Sequence, residues 1–223
     1  MGKNYIKGDI VSDRKDQKGN WVCSFNTTTN ESYIQHYTTS GKLWTQMKAR
    51  CSQSYRWSVE KPTYRTCENS FRDFQEFAEW CNSTPGYLLD EGGIRWALDK
   101  DILFLGNKVY SPKTCAFVPH YINGLFVCCE KKTVLPLGVN YRERFGKYVS
   151  QINILGKRTH LGHFNSPIEA HKTWQVAKID CIRACIDNYS LSSGCRSDVI
   201  TALNSRIKII YEDLQNNQET VKL

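Results

Sequence analysis

The sequence predicts an α+β protein, with helices and antiparallel strands in separate stretches of the chain. In "SFRDFQEFAEWC" the aromatic residues recur at helical spacing, which indicates an amphipathic helix. In "KYVSQINI" the side chains alternate with the two-residue period of a strand. "SPIEA" is typical of a helix start, with Ser166 as the cap, Pro167 in the first turn and Glu169 three residues after the cap.

The first half of the chain divides into two predicted parts. Residues 1–40 show short alternation in "WVCSFN" and "SYIQHY", which predicts a small N-terminal β element. Residues 41–130 are predicted to form a domain that opens with a helix in "GKLWTQMKARC". A second helix carries the aromatic stripe, with Asn69 or Ser70 as its cap. Because such a stripe is usually core, we expect these rings to be buried.

A hairpin and a short helix follow in "LDKDILFLGNKVYSPKTCAFVPHYIN", which runs from Leu98 to Asn123. It is predicted to form a strand, a glycine turn, a second strand and, after a proline, the start of a helix. Its acidic and amide side chains lie at the two ends of the segment.

The second half predicts a three-stranded sheet packed on a helix in residues 136–190. Its strands are interrupted at glycines, and the helix runs from Ser166 through Ala184. A C-terminal helix is predicted over 196–215, beginning at Ser197, and we expect the tail "QNNQETVKL" to fray.

The charge of the chain points to a polyanionic partner. The net charge is +8 at pH 7, and residues 136–183 hold eight basic residues against three acidic ones. Clustered basic groups attract phosphate, in nucleic acid or at an anionic membrane surface. The alternative is a solvated charged face without a partner. Because the chain contains neither a signal-peptide-like segment nor an apolar run of about 18 residues, we expect a soluble, cytoplasmic protein with no membrane span.

Ten cysteines raise the question of disulfides and of zinc. Without a secretion signal, reduced thiols are the better interpretation. Zinc ligands usually occur in close Cys-x2-4-Cys pairs with a second pair downstream. Neither Cys128 with Cys129 nor Cys181 with Cys185 and Cys195 follows that arrangement, so we expect buried, unreactive thiols and no zinc site.

The segment "GVNYRERFGKYVSQINILGKRTHLGHFNSPIEAHKTWQVAK" resembles the DNA-binding domain of plant ethylene-response transcription factors. The resemblance covers about forty-five residues and implies a three-stranded sheet that docks in the major groove of double-stranded DNA, with the helix packed behind it. Arginine can donate to two acceptors of guanine and glutamine can pair in the same way with adenine, while lysines neutralise phosphates. The positions that the resemblance and the basic strands nominate for DNA contact are Arg142, Arg144, Lys147, Tyr148, Gln151, Lys157, Arg158 and His160.

The hairpin segment, with "LWTQMKARC" and "FQEFAEW" upstream of it, is similar to phage proteins of the HNH endonuclease type, some of which carry the same C-terminal module. This resemblance implies a ββα-metal core with one divalent ion, Mg²⁺ or Mn²⁺. Asp99 matches the acidic metal ligand and Asn123 the ligand on the helix, and Asp101 is a further candidate ligand. Lys100 stands where the family has the histidine that activates water. The predicted core is therefore a degenerate one.

The roles of Lys100 and His120 follow from their protonation chemistry. A lysine titrates near ~10.4 and cannot accept a proton from water at neutral pH unless its pKa falls by about three units. Lys100 is therefore a better candidate for stabilising a phosphate oxygen than for a general base. His120, three residues before Asn123, can replace the missing base, or it can be a surface histidine. Asp101 can instead pair with Lys100 or Lys108.

Two functional hypotheses follow, and both need double-stranded DNA as the partner. The first is a metal-dependent, HNH-type homing endonuclease acting in the bacterial cytoplasm. The second is a sequence-specific DNA-binding or regulatory protein on the same scaffold, without cleavage. RNA binding is the weaker alternative, because the deep and narrow major groove of A-form RNA excludes such a sheet. The oligomeric state and the target sequence stay open.

Overall fold

The computed structural model describes residues 38–127, 134–154 and 156–223. The described chain is α+β, as predicted, and it divides into two compact units between Val118 and Pro119. The predicted domain of residues 41–130 therefore extends over this boundary, and the predicted C-terminal helix belongs to the same unit as residues 136–190. The predicted β element of residues 1–40 lies outside the described residues, except that residues 39–40 begin a helix.

Two helices pack on each other in the first unit: α1 (Thr39–Cys51) and α2 (Phe74–Ser83). The Trp44 ring of α1 lies 5.4 Å from the ring of Phe77, which is completely buried. Burying a phenylalanine of this kind contributes roughly 2 kcal/mol. The stripe of aromatic residues predicted as core is buried. These residues are Phe71, Phe74 and Phe77, with Ala78 and Cys81 beside them.

The cap of α2 differs from the prediction. Asp73, rather than Asn69 or Ser70, accepts a hydrogen bond from the Glu76 N–H at 3.0 Å. The Glu76 carboxylate in turn accepts from the N–H of Arg72, the residue before the cap, at 2.6 Å, so it holds the chain as it enters the helix.

The strands that the structure describes in the first unit, within residues 38–118, are short and form three pairs. β1 (Glu68–Asn69) pairs in parallel with β5 (Val109–Tyr110), and β2 (Asp90–Glu91) pairs with β3 (Ile94–Arg95). The third pair is antiparallel, β4 (Ala97–Asp99) with β6 (Ala116–Val118).

These pairs correct the predicted hairpin in one respect. The strand after the Gly106 turn is β5, and it pairs with β1 instead of with β4. The antiparallel partner of β4 is β6. In this pair Asp99 lies opposite Ala116, which is seventeen residues farther along the chain. A strand pattern indicates extended backbone, but the pairing depends on contacts distant in sequence.

The second unit contains the three-stranded sheet, in the order β7 (Val139–Arg142), β8 (Lys147–Ile154) and β9 (Lys157–Phe164), all antiparallel. A four-residue helix, α3 (His120–Asn123), precedes it. The long helix α4 (Pro167–Ser190) packs against all three strands, and α5 (Ser197–Gln215) packs against α4.

The predicted start of α4 is confirmed. The Ser166 hydroxyl accepts a hydrogen bond from the Ile168 N–H at 3.2 Å, and Pro167 is the first helical residue. Between α4 and α5 the core is aliphatic: Ile182, Val199, Leu203 and Ile210 are buried.

The C-terminal tail is ordered against α4, so the expectation that it frays is wrong. The Thr220 N–H donates to Nε2 of His171 at 3.0 Å, and Nε2 of Gln175 donates to the Gln218 carbonyl at 3.1 Å. Thr220 and the terminal Leu223 are both buried. Tertiary hydrogen bonds to buried side chains of α4 thus hold a segment whose polar composition predicts fraying.

Among residues 38–127, 134–154 and 156–223, no helix combines the length and the apolar character needed to cross a bilayer.

Gly138 permits the closest approach between the sheet and α4. Its φ of +76° lies in the left-handed region, and a Cβ at this position would overlap the indole ring of Trp174. Beside it, Nδ1 of His171 lies 2.9 Å from the Leu137 carbonyl, and its ring stacks on that of Trp174. The entry to β7 is therefore held directly against α4.

We expect Gly138→Ala to destabilise the protein by about 2 to 4 kcal/mol, because the left-handed φ and the overlap with Trp174 both cost free energy. Gly156→Ala is the matched control, since its φ is +79° but, chain neighbours aside, no atom of the described residues lies within 4 Å of its added Cβ. We expect the control to cost only about 1 kcal/mol. Urea unfolding of the full chain measures both, and equal losses would contradict the close packing at Trp174.

Candidate nucleic-acid interface

The register of the β7–β9 sheet divides its side chains between two faces. Residues directly opposite each other in an antiparallel pair lie on the same face. Ser150 and Ile152 are buried, which marks their face as the one against α4. We call the opposite face the outer face. It carries Asn140 and Arg142 of β7, Lys147, Val149, Gln151 and Asn153 of β8, and Arg158, His160 and His163 of β9.

Apart from the buried Val149, every side chain of the outer face is polar, and most are exposed. Arg142, Arg158 and His160 are exposed, and Gln151 is half-buried on the central strand between them. The Lys147 ammonium, at the start of the central strand, donates to Oδ1 of Asn165. The face therefore presents cations around a central amide, which is an arrangement suited to phosphates and base edges.

A β-bulge shapes one end of the outer face. Ser150 pairs with Gly162 and Gln151 with His160, so Leu161 is an extra residue in β9. Because of this residue, His160 and His163 lie on the same face although they are three apart in a strand. Their rings are 4.6 Å apart.

The turn between β7 and β8 adds a cation and an exposed ring to the outer face. It is a 3₁₀ turn over Glu143–Phe145, closed by Gly146 at φ +57°. The Arg144 guanidinium lies 5.5 Å from the centre of the Phe145 ring, and that ring meets His163 edge-on at 5.7 Å. Glu143, in the same turn, is the acidic side chain nearest to these cations in sequence.

Six of the eight predicted DNA-contact residues thus belong to the outer face or its turn: Arg142, Arg144, Lys147, Gln151, Arg158 and His160. The other two do not. Tyr148 lies on the face against α4, with its ring 5.1 Å from that of Tyr141. Lys157 pairs with Ile154 on that same face, at the end of the β8–β9 hairpin.

The outer face and its turn also contain three residues that were not predicted as DNA contacts: His163, Phe145 and Asn140. Strict alternation from His160 assigns His163 to the opposite face, and the bulge at Leu161 reverses that assignment. Gly162, next to the bulge, was the available signal, since an isolated glycine in a strand pattern often marks one.

The basic residues of α4 do not contribute to the outer face, although they raise the charge of the segment. Lys178 is 3% exposed and donates to the Leu125 carbonyl, with its ammonium 5.3 Å from the Phe126 ring. Arg183 pairs with Asp180 at 3.6 Å, and Lys172 donates to Oδ1 of Asn217. Part of the charge excess between residues 136 and 183 is therefore used within the fold.

In the first unit, Asp99 is the last residue of β4, earlier than the predicted strand end before Gly106, and its carboxylate is engaged with the backbone. Oδ1 accepts hydrogen bonds from the N–H groups of Asp101 and Ile102, at 2.8 and 2.7 Å. Burial, and then repulsion from Asp101, raises the pKa of Asp99 to about 7. The carboxylate is thus a turn-forming group that holds the chain as it leaves the strand.

Lys100 is buried and its charge is satisfied internally. The residue is 4% exposed, and its ammonium donates to Oδ2 of Asp101 at 3.0 Å. The rings of Tyr64 and Tyr110 each lie 6.0 Å from the same ammonium. Of the two predicted partners for Asp101, Lys100 is therefore the one it has. Asp101 lies beyond the end of β4 rather than on the pleat of Asp99.

These side chains do not fit a Mg²⁺ or Mn²⁺ site in their present arrangement. Such an ion needs several oxygen donors, and here one oxygen of Asp99 closes a turn while the Asp101 carboxylate pairs with the Lys100 ammonium, a cation that would repel the ion. In the part of the chain that the structure describes, no three His, Cys, Asp or Glu side chains converge to hold a metal ion.

His120 and Asn123 belong to the second unit, whereas Asp99, Lys100 and Asp101 belong to the first. Both lie on α3, as predicted, where His120 is exposed and Asn123 is half-buried. Their proposed roles as base and metal ligand stay predictions.

No family model, curated protein or solved structure matches this chain. The assignment of a function therefore depends on the residues themselves.

The raised pKa of Asp99 leads to a test by pH. The folded protein holds the Asp99 proton more tightly than the unfolded chain, whose aspartates titrate near ~3.9. Wild type should therefore lose stability as the pH rises from about 4 through about 7. Asp99→Asn removes this loss, so we expect its free energy of unfolding, relative to wild type, to be higher at pH 8 than at pH 5, by on the order of 1 kcal/mol or more.

Urea unfolding at the two pH values measures this difference. Asp90→Asn is the control, because Asp90 is exposed and accepts a single backbone hydrogen bond, from Gly93 at 3.2 Å. A pH dependence that is the same in both variants would show that Asp99 is not the titrating group.

Proposed function

We propose that this protein binds double-stranded DNA through the outer face of the β7–β9 sheet, as a sequence-specific DNA-binding protein that does not cut. The observation that carries the proposal is the register, which gathers Arg142, Lys147, Gln151, Arg158 and His160 on one face while α4 covers the other. The resemblance of residues 136–190 to the ethylene-response-factor type of DNA-binding domain supports the same conclusion.

The chemistry of the outer face favours duplex DNA over other polyanions. A sheet can enter the major groove of B-DNA, where each base pair presents its own pattern of donors and acceptors. Arginine and glutamine side chains on one face can read guanine and adenine edges, and Lys147 at the start of β8 can neutralise a phosphate. An anionic membrane would need only charge, and it would leave the central Gln151 and the neighbouring Asn140 and Asn153 without a role.

Arg158→Ala should weaken binding to duplex DNA. We expect a loss of about 5- to 150-fold if the guanidinium pairs with a base. If it contacts a phosphate, the slope of log K against log salt should instead become less steep by about 0.9. Fluorescence anisotropy across a salt series measures both, with a labelled duplex that wild type has selected from a random-sequence pool.

Arg183→Ala is the matched control for this experiment. It removes the same charge from the same unit, but at an exposed position on α4 away from the outer face. If the two arginine variants bind duplex DNA equally well, the outer face is not the binding surface.

Cleavage is the second candidate function, and one observation favours it. Along the chain β4 is followed by its partner β6 and then by α3, with Asp99 at the end of the first strand and Asn123 on the helix. This is the order of a ββα-metal core of the HNH type. The buried pair of Lys100 with Asp101 opposes it, because Lys100 already neutralises the Asp101 carboxylate and the backbone already uses one oxygen of Asp99.

We therefore expect no metal-dependent nicking. Supercoiled plasmid incubated with the full chain and Mg²⁺ or Mn²⁺ should stay as intact as in a reaction without protein, while the same preparation retards the plasmid in a gel. Nicking that appears with wild type and disappears with Asp99→Asn would establish a nuclease and overturn the non-cutting part of the proposal. It would leave DNA binding by the sheet in place.

A further inference from the structure

The first unit carries a second group of cations and aromatic rings, separate from the outer face of the sheet. It lies between α1 and α2 in sequence, on a π-helical turn (Arg56–Glu60) and a 3₁₀ turn (Pro62–Tyr64). We call it the Trp57 patch, and it consists of Tyr55, Arg56, Trp57, Lys61, Tyr64 and Arg65. π-helical turns are uncommon, and they occur frequently at functional sites.

Two cations lie over one ring at the centre of this patch. The Arg56 guanidinium and the Lys61 ammonium are each 5.1 Å from the centre of the Trp57 ring. The Tyr64 ring meets Trp57 edge-on at 5.3 Å and an interplanar angle of 88°. Trp57 therefore arranges two cations next to a second aromatic ring.

The charge of the patch is not neutralised by carboxylates. Arg56, Lys61 and Arg65 are exposed, and none of them forms an ion pair with a carboxylate of the described residues. Arg65 donates instead to the Ser58 carbonyl at 3.1 Å. Glu60 is the one acidic residue between residues 54 and 65. Exposed and unpaired cations of this kind attract a polyanion.

The aromatic component narrows the choice of polyanion. Tyr55 is 69% exposed, and Trp57 is half-buried beneath its two cations. In a duplex the faces of the bases are already stacked on each other, so an exposed aromatic side chain has no free base to stack on. Unstacked bases, by contrast, stack on aromatic side chains and on arginine guanidinium planes.

We propose that the Trp57 patch binds single-stranded nucleic acid. Arg56, Lys61 and Arg65 contact the phosphates, and bases stack on Tyr55 and on the Arg56 guanidinium that Trp57 supports. This inference goes beyond duplex recognition by the sheet and does not depend on it, because the residues concerned belong to the other unit.

The test measures binding of the full chain to a labelled oligothymidylate by fluorescence anisotropy across a salt series. In the double variant Arg56→Ala/Lys61→Ala, the slope of log K against log salt should become less steep by about 1.4, since each phosphate contact with a single strand contributes about 0.7. Tyr55→Ala should weaken binding by about tenfold, as expected for one lost base stack, without changing the slope.

The matched control is Lys42→Ala/Lys113→Ala, which removes two exposed cations from the same unit outside the patch. We expect it to bind oligothymidylate as wild type does, with the same slope. A second control is Lys61→Arg. It keeps the positive charge over Trp57, so its slope of log K against log salt should equal that of wild type. Thermal unfolding of each variant shows whether the substitution has impaired folding. A variant that melts at the same temperature as wild type but has a changed salt slope has lost phosphate contacts.

The inference is overturned if wild type does not bind oligothymidylate, or if the patch variants have the same affinity and slope as the Lys42/Lys113 control. Arg158→Ala, measured in parallel, distinguishes this failure from failure of duplex recognition. We expect Arg158→Ala to lower affinity for duplex DNA and to leave oligothymidylate binding unchanged. If Arg158→Ala abolishes binding to both while the patch variants bind normally, the sheet binds both nucleic acids and the patch binds neither.

Discussion

The packing of α4 across one face of the three-stranded sheet is the constraint on which the second unit depends. Trp174 reaches the backbone at Gly138, and His171 links the Leu137 carbonyl to the C-terminal tail, so strand, helix and tail are joined at one place. The two nitrogens of the His171 ring have different hydrogen-bond partners. Nε2 accepts from the Thr220 N–H, and Nδ1 is hydrogen-bonded to the Leu137 carbonyl. Because side chains alternate along a strand, those that do not point toward α4 lie on the opposite face, which is exposed to solvent. The polar character of that face is then available for binding.

The bulge in β9 decides the composition of the outer face. Without the extra residue at Leu161, the strand would continue in strict alternation and His163 would point toward α4. With it, His163 joins His160 and the exposed Phe145 on this face, while Gln151 pairs with His160 and Arg158 lies two residues farther along β9. A surface that mixes cations, amides and an aromatic ring can combine charge attraction with contacts to base edges. This combination distinguishes it from a simple charged face.

In the first unit, Lys100 determines how the carboxylates at the end of β4 are used. An exposed histidine beside a carboxylate could activate water, but a buried ammonium needs an anion and takes Asp101. Asp99 closes the turn through two backbone hydrogen bonds and holds its proton more tightly as a result of burial. The same residues that would form a metal site therefore stabilise the loop after β4. This arrangement is the physical reason that the proposed function does not include cleavage.

Local patterns in the sequence determined the main helices, the Ser166 cap of α4 and the three strands of the β7–β9 sheet. The aromatic stripe of α2 and the Ser166 cap of α4 depend on residues within a turn or two of each other, so spacing alone predicts them. The tertiary structure decided the partner of β4, the phase change at Leu161, the burial of Lys100 and Lys178, and the ordering of the tail on His171 and Gln175. Each of these depends on contacts between residues far apart in the chain. Because a charged or polar side chain can be exposed or can be buried with a distant partner, composition and periodicity do not distinguish the two outcomes.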